Sequence, residues 1–262
     1  MTNNKNFILS YSGGKDSTAT LIYLVVELGF DLSVVFCDTG NESPDTYQYI
    51  NYISELLKSW GHSPIIKVQG EYNFLSLAKK QKIFPCGIKR FCTVWLKLKP
   101  FLSWLVEQGF EDPVVITGIR RDESHARKDR KEWEYSDHHG CEMWNPIIDW
   151  TAKQVFAIHK KYGIEINPMY KKGFKRVGCF PCFNAGRLEL LLLDRHYPER
   201  IHEIQKWEKE VGGAYFPPRR PGKIWAITDQ IHWAKKSDPQ MSPVPLFGEE
   251  KLCAYAELGV CE

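Results

Sequence analysis

The sequence predicts an α/β fold: a doubly wound, mainly parallel sheet followed by a mostly helical carboxy-terminal part. Three observations carry this. Short apolar runs alternate with helical stretches over the first half, a glycine-rich turn joins the first run to the first helix, and polar residues stand at the carboxyl end of the second run. With 262 residues, 43% of them hydrophobic, the chain can bury one large core or two modest ones.

The elements follow in order. Phe7-Ile8-Leu9 is the first strand and residues 18–28 the first helical stretch. Leu32-Ser-Val-Val-Phe-Cys37 is β-branched and aromatic, the character of a buried strand, and Asp38-Thr39-Gly40-Asn41-Glu42 follows at once, where a ligand crevice belongs. Residues 44–60 read as a helix, 64–68 as a third strand, and 114–117 as a fourth after intervening helices. Beyond Pro146 the pattern changes to helical stretches, a cysteine-bearing loop and one amphipathic run over 187–210. Residues 216–223 and 238–245 are loops by their proline and glycine content. The chain therefore divides into a nucleotide-type core, 1–145, and a carboxy-terminal helical subdomain, 146–262.

Ser12-Gly13-Gly14-Lys15-Asp16-Ser17 carries the clearest chemistry. A strand delivers the chain, paired glycines open backbone conformations closed to other residues, and the next helix offers unpaired amides to an anion. Lys15 adds a full positive charge. The spacing is not that of a Walker A loop, which has four residues between its first glycine and its Gly-Lys-Ser/Thr end.

Composition sets the outer bounds. A net charge of +3 neither demands nor excludes nucleic acid. Nine tryptophans and twelve tyrosines suit base stacking as well as core packing. The amino terminus lacks the build of a signal peptide and no run approaches the ~20 apolar residues of a membrane span, so a soluble cytoplasmic protein without membrane partners is expected. In that compartment eight cysteines read as metal ligands or redox groups. Cys179 and Cys182 form a C-x-x-C that suits thiol–disulfide exchange, zinc or an iron–sulfur cluster. Cys86 and Cys92 complete a set of four, and Cys37 reads as a packed core thiol.

The Ser-Gly-Gly-Lys-Asp-Ser string resembles the PP-loop of ATP pyrophosphatases, which split ATP into AMP and pyrophosphate. Further stretches resemble the phosphoadenylyl-sulfate reductase superfamily, in that family's order: Arg90-Phe-Cys-Thr93 with Lys97 and Pro100, Gly118-Ile-Arg-Arg-Asp-Glu-Ser124 with Arg127, Pro146-Ile-Ile-Asp-Trp-Thr151, and Asn167-Pro-Met-Tyr170 leading to Arg176-Val-Gly-Cys179. The resemblance implies an adenine nucleotide alpha hydrolase-like fold. It implies ATP held by Ser12, Gly13, Gly14, Lys15, Asp16, Ser17, Asp38, Gly118 and Arg120, with Mg²⁺ or ribose placed by Asp38. Lys15, Asp16, Asp38 and Arg121 become the catalytic set, and Arg120, Arg121 and Arg127 contact phosphates. It also transfers a [4Fe–4S] cluster to Cys86, Cys92, Cys179 and Cys182. The chain departs from the family in one respect: Thr93, not a second cysteine, follows Cys92. That leaves Cys141 as a substitute for Cys86, and zinc as a substitute for the cluster.

An intact PP-loop together with cluster cysteines and a reductase-like body resembles the DndC and SspD type of bacterial DNA phosphorothioation protein. The expected reaction is adenylylation of a DNA backbone phosphate oxygen followed by its replacement with sulfur. The expected partners are single- or double-stranded DNA, a cysteine desulfurase as sulfur donor, and other phosphorothioation subunits. Lys171, Lys172, Lys175 and Arg176 are candidates to guide the polyanion, and Arg219 and Arg220, near Trp225 and Trp233, to touch its backbone. Cys253 and Cys261 lie in a tail that lacks the Glu-Cys-Gly-Leu-His pattern of the reductases, with Cys261 a candidate sulfur relay. Alternatives are an adenylyl-sulfate or phosphoadenylyl-sulfate reductase, a tRNA-thiolating enzyme, and a noncatalytic scaffold.

Overall fold

The structure, a computed structural model, describes residues 6–217 and 225–236. Arg219, Arg220, Cys253, Cys261 and the 238–245 segment lie outside the described residues. Six strands form one sheet: β1 (Phe7–Tyr11), β2 (Ser33–Cys37), β3 (Ile66–Val68), β4 (Val114–Ile116), β5 (Trp133–Ser136) and β6 (Cys141–Trp144), in the order β3-β2-β1-β4-β6-β5. All neighbours are parallel except β5 and β6. Leu9 pairs with Val34 on one side and Ile116 on the other, which makes β1 the centre of the nucleotide half. Alternate side chains of these strands are buried on both faces, as a sheet covered by helices requires.

The helices begin where side chains can take over unpaired amides. α1 (Lys15–Leu21) runs on as a π-helical segment, Ile22–Glu27. α2 (Pro44–Ser59) starts with Pro44 in its first turn and Ser43 Oγ accepting from Thr46 N at 3.1 Å. α3 (Phe74–Gln81) has a reciprocal Asn73–Ser76 capping box. A short α4 (Phe91–Thr93) passes through a π-helical stretch, Val94–Leu98, into α5 (Lys99–Glu107). α6 (Ala152–Lys161) is capped by Thr151 and Gln154, and α7 (Pro168–Lys171) by Asn167.

One expectation is corrected and one element was not foreseen. The amphipathic run over 187–210 is not one helix: it divides into α8 (Arg187–His196) and α9 (Pro198–Val211). Pro198 cannot donate an amide to a continuing helix and its ring crowds the preceding turn, so the chain breaks at Tyr197. Gly212, at φ 77°, then closes α9 in the left-handed conformation. The charged stretch after β4 ends in the β5–β6 hairpin, whose alternation the basic residues masked, with Trp133 stacked on Trp144 at 5.1 Å. α10 (Ile227–Lys236) completes the described chain.

The apolar cores interleave along the sequence. Val155, Ile158 and Ile164, from and after α6, join the core made by β1, β2, β4 and α1–α2. Phe74, Leu77, Phe84, Cys92 and Leu96, from the amino-terminal half, join the core of α8–α10. Residues beyond 146 are thus positioned to touch the phosphate loop.

Candidate nucleotide and thiol site

The carboxyl ends of β1, β2 and β4 converge on the 12–17 loop. Gly13 turns at φ 73°, a conformation that favours glycine, and Gly14 N-caps α1. Ser17 Oγ donates to Gly14 O at 3.0 Å and lies 3.1 Å from Ser12 Oγ, closing the loop on itself. Lys15 and Asp16 are buried, at 6% and 8% exposure. Asp16 is gripped from both sides: Lys15 Nζ lies 2.6 Å from Oδ2 and Arg120 Nε 2.6 Å from Oδ1. Burial opposes the charge of Arg120, but the Asp16 carboxylate outweighs it and holds the guanidinium above its ordinary range. Arg120 also donates to Trp150 O, and its backbone N–H reaches Glu123.

Three side chains beyond residue 146 fix the loop backbone. Asn167 Nδ2 donates to Gly13 O at 3.0 Å, His159 Nε2 to Lys15 O at 3.0 Å, and Lys15 N donates to Tyr170 Oη at 3.0 Å. Burial keeps His159 below its ordinary range, so the ring is neutral and its Nε2 carries the proton that a carbonyl can accept. Gly118 is needed for a different reason. A Cβ there would stand 2.8 Å from Asp16 O and from Ser17 N and Cα, so only glycine lets the loop after β4 press on α1.

Asp38, at the end of β2, accepts from Gly40 N at 2.8 Å and Tyr47 Oη at 2.7 Å. Glu42 is buried, accepts from Thr39 Oγ1 and Asn41 N, and has its carboxyl raised by burial against the pull of Lys97. Glu42 also forms a backbone bridge with Cys179, which joins the loop after β2 to the C-x-x-C loop. That loop is pinned by Tyr215 Oη donating to Pro181 O at 2.6 Å and Arg200 Nε donating to Phe180 O at 2.9 Å.

Cys92, Cys179 and Cys182 line one cavity of about 190 Å³ with Arg90, Lys97 and Arg176. Its wall abuts the phosphate loop: Val177 lines it and would lie 3.9 Å from a Cβ on Gly14. Burial pushes the Cys179 thiol up to about 11, with Lys97 opposing, and raises Cys92. Lys97 opens onto the cavity and is held above its ordinary range, first by Cys179. Cys86 does not line the cavity; it sits half-buried in the loop before α4. Cys141 cannot replace it. It lies at the amino end of β6 among Ile8, Val35 and Phe101, away from the carboxyl ends where the cavity opens. Cys37 is a partial correction: half-buried at the end of β2, it contacts the sheet core while its Sγ donates to Lys97 O at 3.6 Å.

The three cavity thiols and their cationic rim fit an anionic iron–sulfur cluster, with the fourth ligand not on the cavity wall. Among the described residues no group of three or more His, Cys, Asp or Glu could hold a single metal ion.

The remaining basic residues separate. Arg121 pairs with Asp149 and donates to Arg130 O, while Arg127 pairs with Glu123. Lys171 pairs with Glu165 at 2.5 Å and Lys172 with Asp45 at 2.6 Å. Lys175 is exposed, as is Arg176 at the cavity rim.

A family model for the phosphoadenosine phosphosulfate reductase domain matches residues 6–185, from β1 through the thiol loop. The chain belongs to the phosphoadenosine phosphosulfate reductase domain family. Within reach of this family it is 28% identical to an uncharacterised 37.8 kDa protein of Escherichia phage 186, over 97% of this chain and 96% of the phage protein. It is 32% identical to an uncharacterised protein of Methanocaldococcus jannaschii over 88% of this chain, but spans only 46% of that relative's length. The fold is that of a phosphoadenylyl-sulfate reductase from Candida auris, with a TM-score of 0.52 and 20% identity over 69% of this chain and 84% of that one. Among the described residues no helix is long and apolar enough to cross a membrane.

Sequence reasoning gave no role to His159, Asn167, Tyr170 or Glu42. Asn167 and Tyr170 stood in a recognisable motif; His159 had no local signal, because its function depends on where α6 packs.

Proposed function

We propose that this family member is an ATP pyrophosphatase that adenylylates a backbone phosphate oxygen of DNA so that sulfur can replace it. The observation that carries this reading is the buried Lys15–Asp16–Arg120 group in an intact phosphate loop whose wall is shared with a three-thiol cavity. Incoming phosphate would compete with Asp16 for Lys15 and meet the loop amides. Attack by a DNA phosphate oxygen on the α-phosphorus forms a new P–O bond and breaks the bond to the β-phosphate, releasing pyrophosphate. Lys15 neutralises charge developing on the departing group, and positioning plus electrostatics is the main catalytic contribution for this class of transfer. The terminal sulfur of a persulfide donor (R–S–S⁻) would then attack the DNA phosphorus as AMP leaves with the oxygen, and a second thiol would cleave the resulting P–S–S–R link, leaving the phosphorothioate and a disulfide. Cys92, Cys179 and Cys182 would hold a [4Fe–4S] cluster, which when bound supplies sulfur- or electron-handling chemistry beside this site.

A second reading, reduction of an adenylyl sulfate to sulfite, is favoured by the family itself. One comparison decides: pyrophosphate release from ATP by anaerobically purified protein, with and without single- or double-stranded DNA, against sulfite formation from adenylyl sulfates. DNA-stimulated pyrophosphate release without sulfite is the expected result. Sulfite formation without ATP cleavage would overturn the proposal in favour of the reductase.

A further inference from the structure

β5 is the last strand of the sheet, and among the described residues no strand pairs with its outer edge. The phase of its ladder says which groups stand free there. Asn145 N donates to Glu132 O at 2.7 Å, directly across the hairpin, and pairing continues without a bulge through Glu134 and Met143 to Ser136 and Cys141. Inward and outward amides alternate along an antiparallel strand, so residues 132, 134 and 136 turn their backbone groups to β6 while Trp133 and Tyr135 turn theirs outward. Neither proline nor glycine interrupts 131–137, and an open edge of this kind is a template for another strand.

The side chains here are exposed as well. Trp133 is 45% and Tyr135 65% exposed, both on one face of the strand. Trp133 already stacks on Trp144, which meets Phe30 at 5.3 Å, so an aromatic row runs from the core to the edge and stops at solvent. Lys131 and Asp137 bracket the strand at the same period, and among the described residues neither forms an ion pair. Glu134, on the opposite face, accepts from Arg130 Nε at 2.6 Å and Asn145 Nδ2 at 3.0 Å.

We infer that a second copy of this chain covers this edge, the two β5 strands running antiparallel about a two-fold axis at Glu134 and joining two six-stranded sheets into one. The register follows from the side chains. Residues directly opposite across antiparallel strands share a face, which requires the axis to pass between two copies of one residue. An axis at Glu134 sets Trp133 opposite the second copy's Tyr135 and Lys131 opposite its Asp137, each twice, and uses the outward amides of both aromatic residues. An axis one residue earlier would set Glu132 against Glu134, and one residue later would set Trp133 against Asp137. Aromatic and opposite-charge pairs directly across strands are favourable, and like charges are not. The two Glu134 carboxylates approach at the axis, each compensated by its own Arg130. A strand edge of this length is small beside a standard interface, so association is concentration-dependent rather than obligate. The phosphate loops of the two copies fall at opposite ends of the joined sheet, and the surface is independent of the reaction proposed above.

Sedimentation velocity of the full chain over a concentration series, to about 0.1 mM, reads the association directly. A monomer–dimer equilibrium is expected. Tyr135→Pro removes an outward amide and no ladder bond to β6, and should abolish the dimer. Lys131→Glu or Asp137→Lys alone should weaken it about tenfold, since two attractive pairs become repulsive. Restoration is the strictest arm: the two charge changes together in one chain, or an equimolar mixture of the two single variants, should recover wild-type association, which a folding defect could not do. A wild type monomeric throughout would overturn the inference, as would a dimer indifferent to all of these changes, or charge variants that fail to recover when combined. Slow hydrogen exchange at the Trp133 and Tyr135 amides in a monomeric sample would assign the edge to another segment of this chain and overturn it as well.

Discussion

Asp16→Asn probes the centre of the site with almost no change of shape. The native carboxylate lies 2.6 Å from Lys15 Nζ and 2.6 Å from Arg120 Nε, with side-chain exposures of 12%, 7% and 4% respectively. The amide leaves two buried cations facing each other. Removing one partner of a buried pair costs about 3–5 kcal/mol, and Arg120 keeps Trp150 O and Asp122, so the lower end, about 3 kcal/mol, applies. For 262 residues unfolding as one unit, an unfolding entropy of roughly 2.1 cal/mol/K per residue gives a fall in Tm of about 5 °C. Calorimetry at neutral pH reads this directly. Inorganic pyrophosphate should restore more stability to the variant than to wild type, because an anion then replaces the missing carboxylate. A Tm within about 1 °C of wild type, or equal stabilisation by pyrophosphate, would refute the account of Asp16 as the counter-charge of Lys15 and Arg120.

Three further outcomes are expected. Gly118→Ala should destabilise by about 1–3 kcal/mol and weaken ATP binding, since its Cβ meets the backbone of Asp16 and Ser17, while Gly87→Ala, with open space, should do neither; paired melts and nucleotide titrations compare them. Burial depresses His159 below its ordinary 6.5, so the unfolded chain binds the proton first and stability is lost as pH falls from 6.5 towards the folded value, by up to about 1.4 kcal/mol per unit. The difference in denaturant stability between His159→Gln and wild type across that window isolates this residue from His139 and His196, which shift the same way, and from the raised carboxyls Glu42 and Glu208. Anaerobic loading with iron and sulfide, followed by absorbance, should fail for Cys179→Ser and succeed for Cys141→Ser and Lys15→Ala, with ATP cleavage lost in Lys15→Ala; loading that ignores Cys179 would remove the cavity thiols as ligands.

Much of the framework was legible because it is local. The strand–glycine–helix order at 7–28 and the polar run after Cys37 follow from period, β-branching and backbone freedom within a few residues. The β5–β6 hairpin escaped because four-residue strands embedded in charge carry little periodic signal. The break at Tyr197 was visible as Pro198, but the helical period on both sides concealed it. Cys141 illustrates the opposite limit. Spacing alone left it open as a metal ligand, and its position at the amino end of β6 removes it.

The sequence by itself determined the α/β class, the glycine-rich turn at 12–17 and the order of motifs, because each depends on residues adjacent in the chain. Only the tertiary structure decided that Asp16 lies between Lys15 and Arg120, 104 positions further on. It alone assigned His159, Asn167 and Tyr170 to the loop backbone, put Cys92 with Cys179 and Cys182, and left Cys86 off the cavity wall. The physical reason is common to all of these. A buried charge, an orphan amide or a thiol finds its partner through the packing of helices on the sheet, and that packing joins residues whose separation in sequence carries no record of the contact.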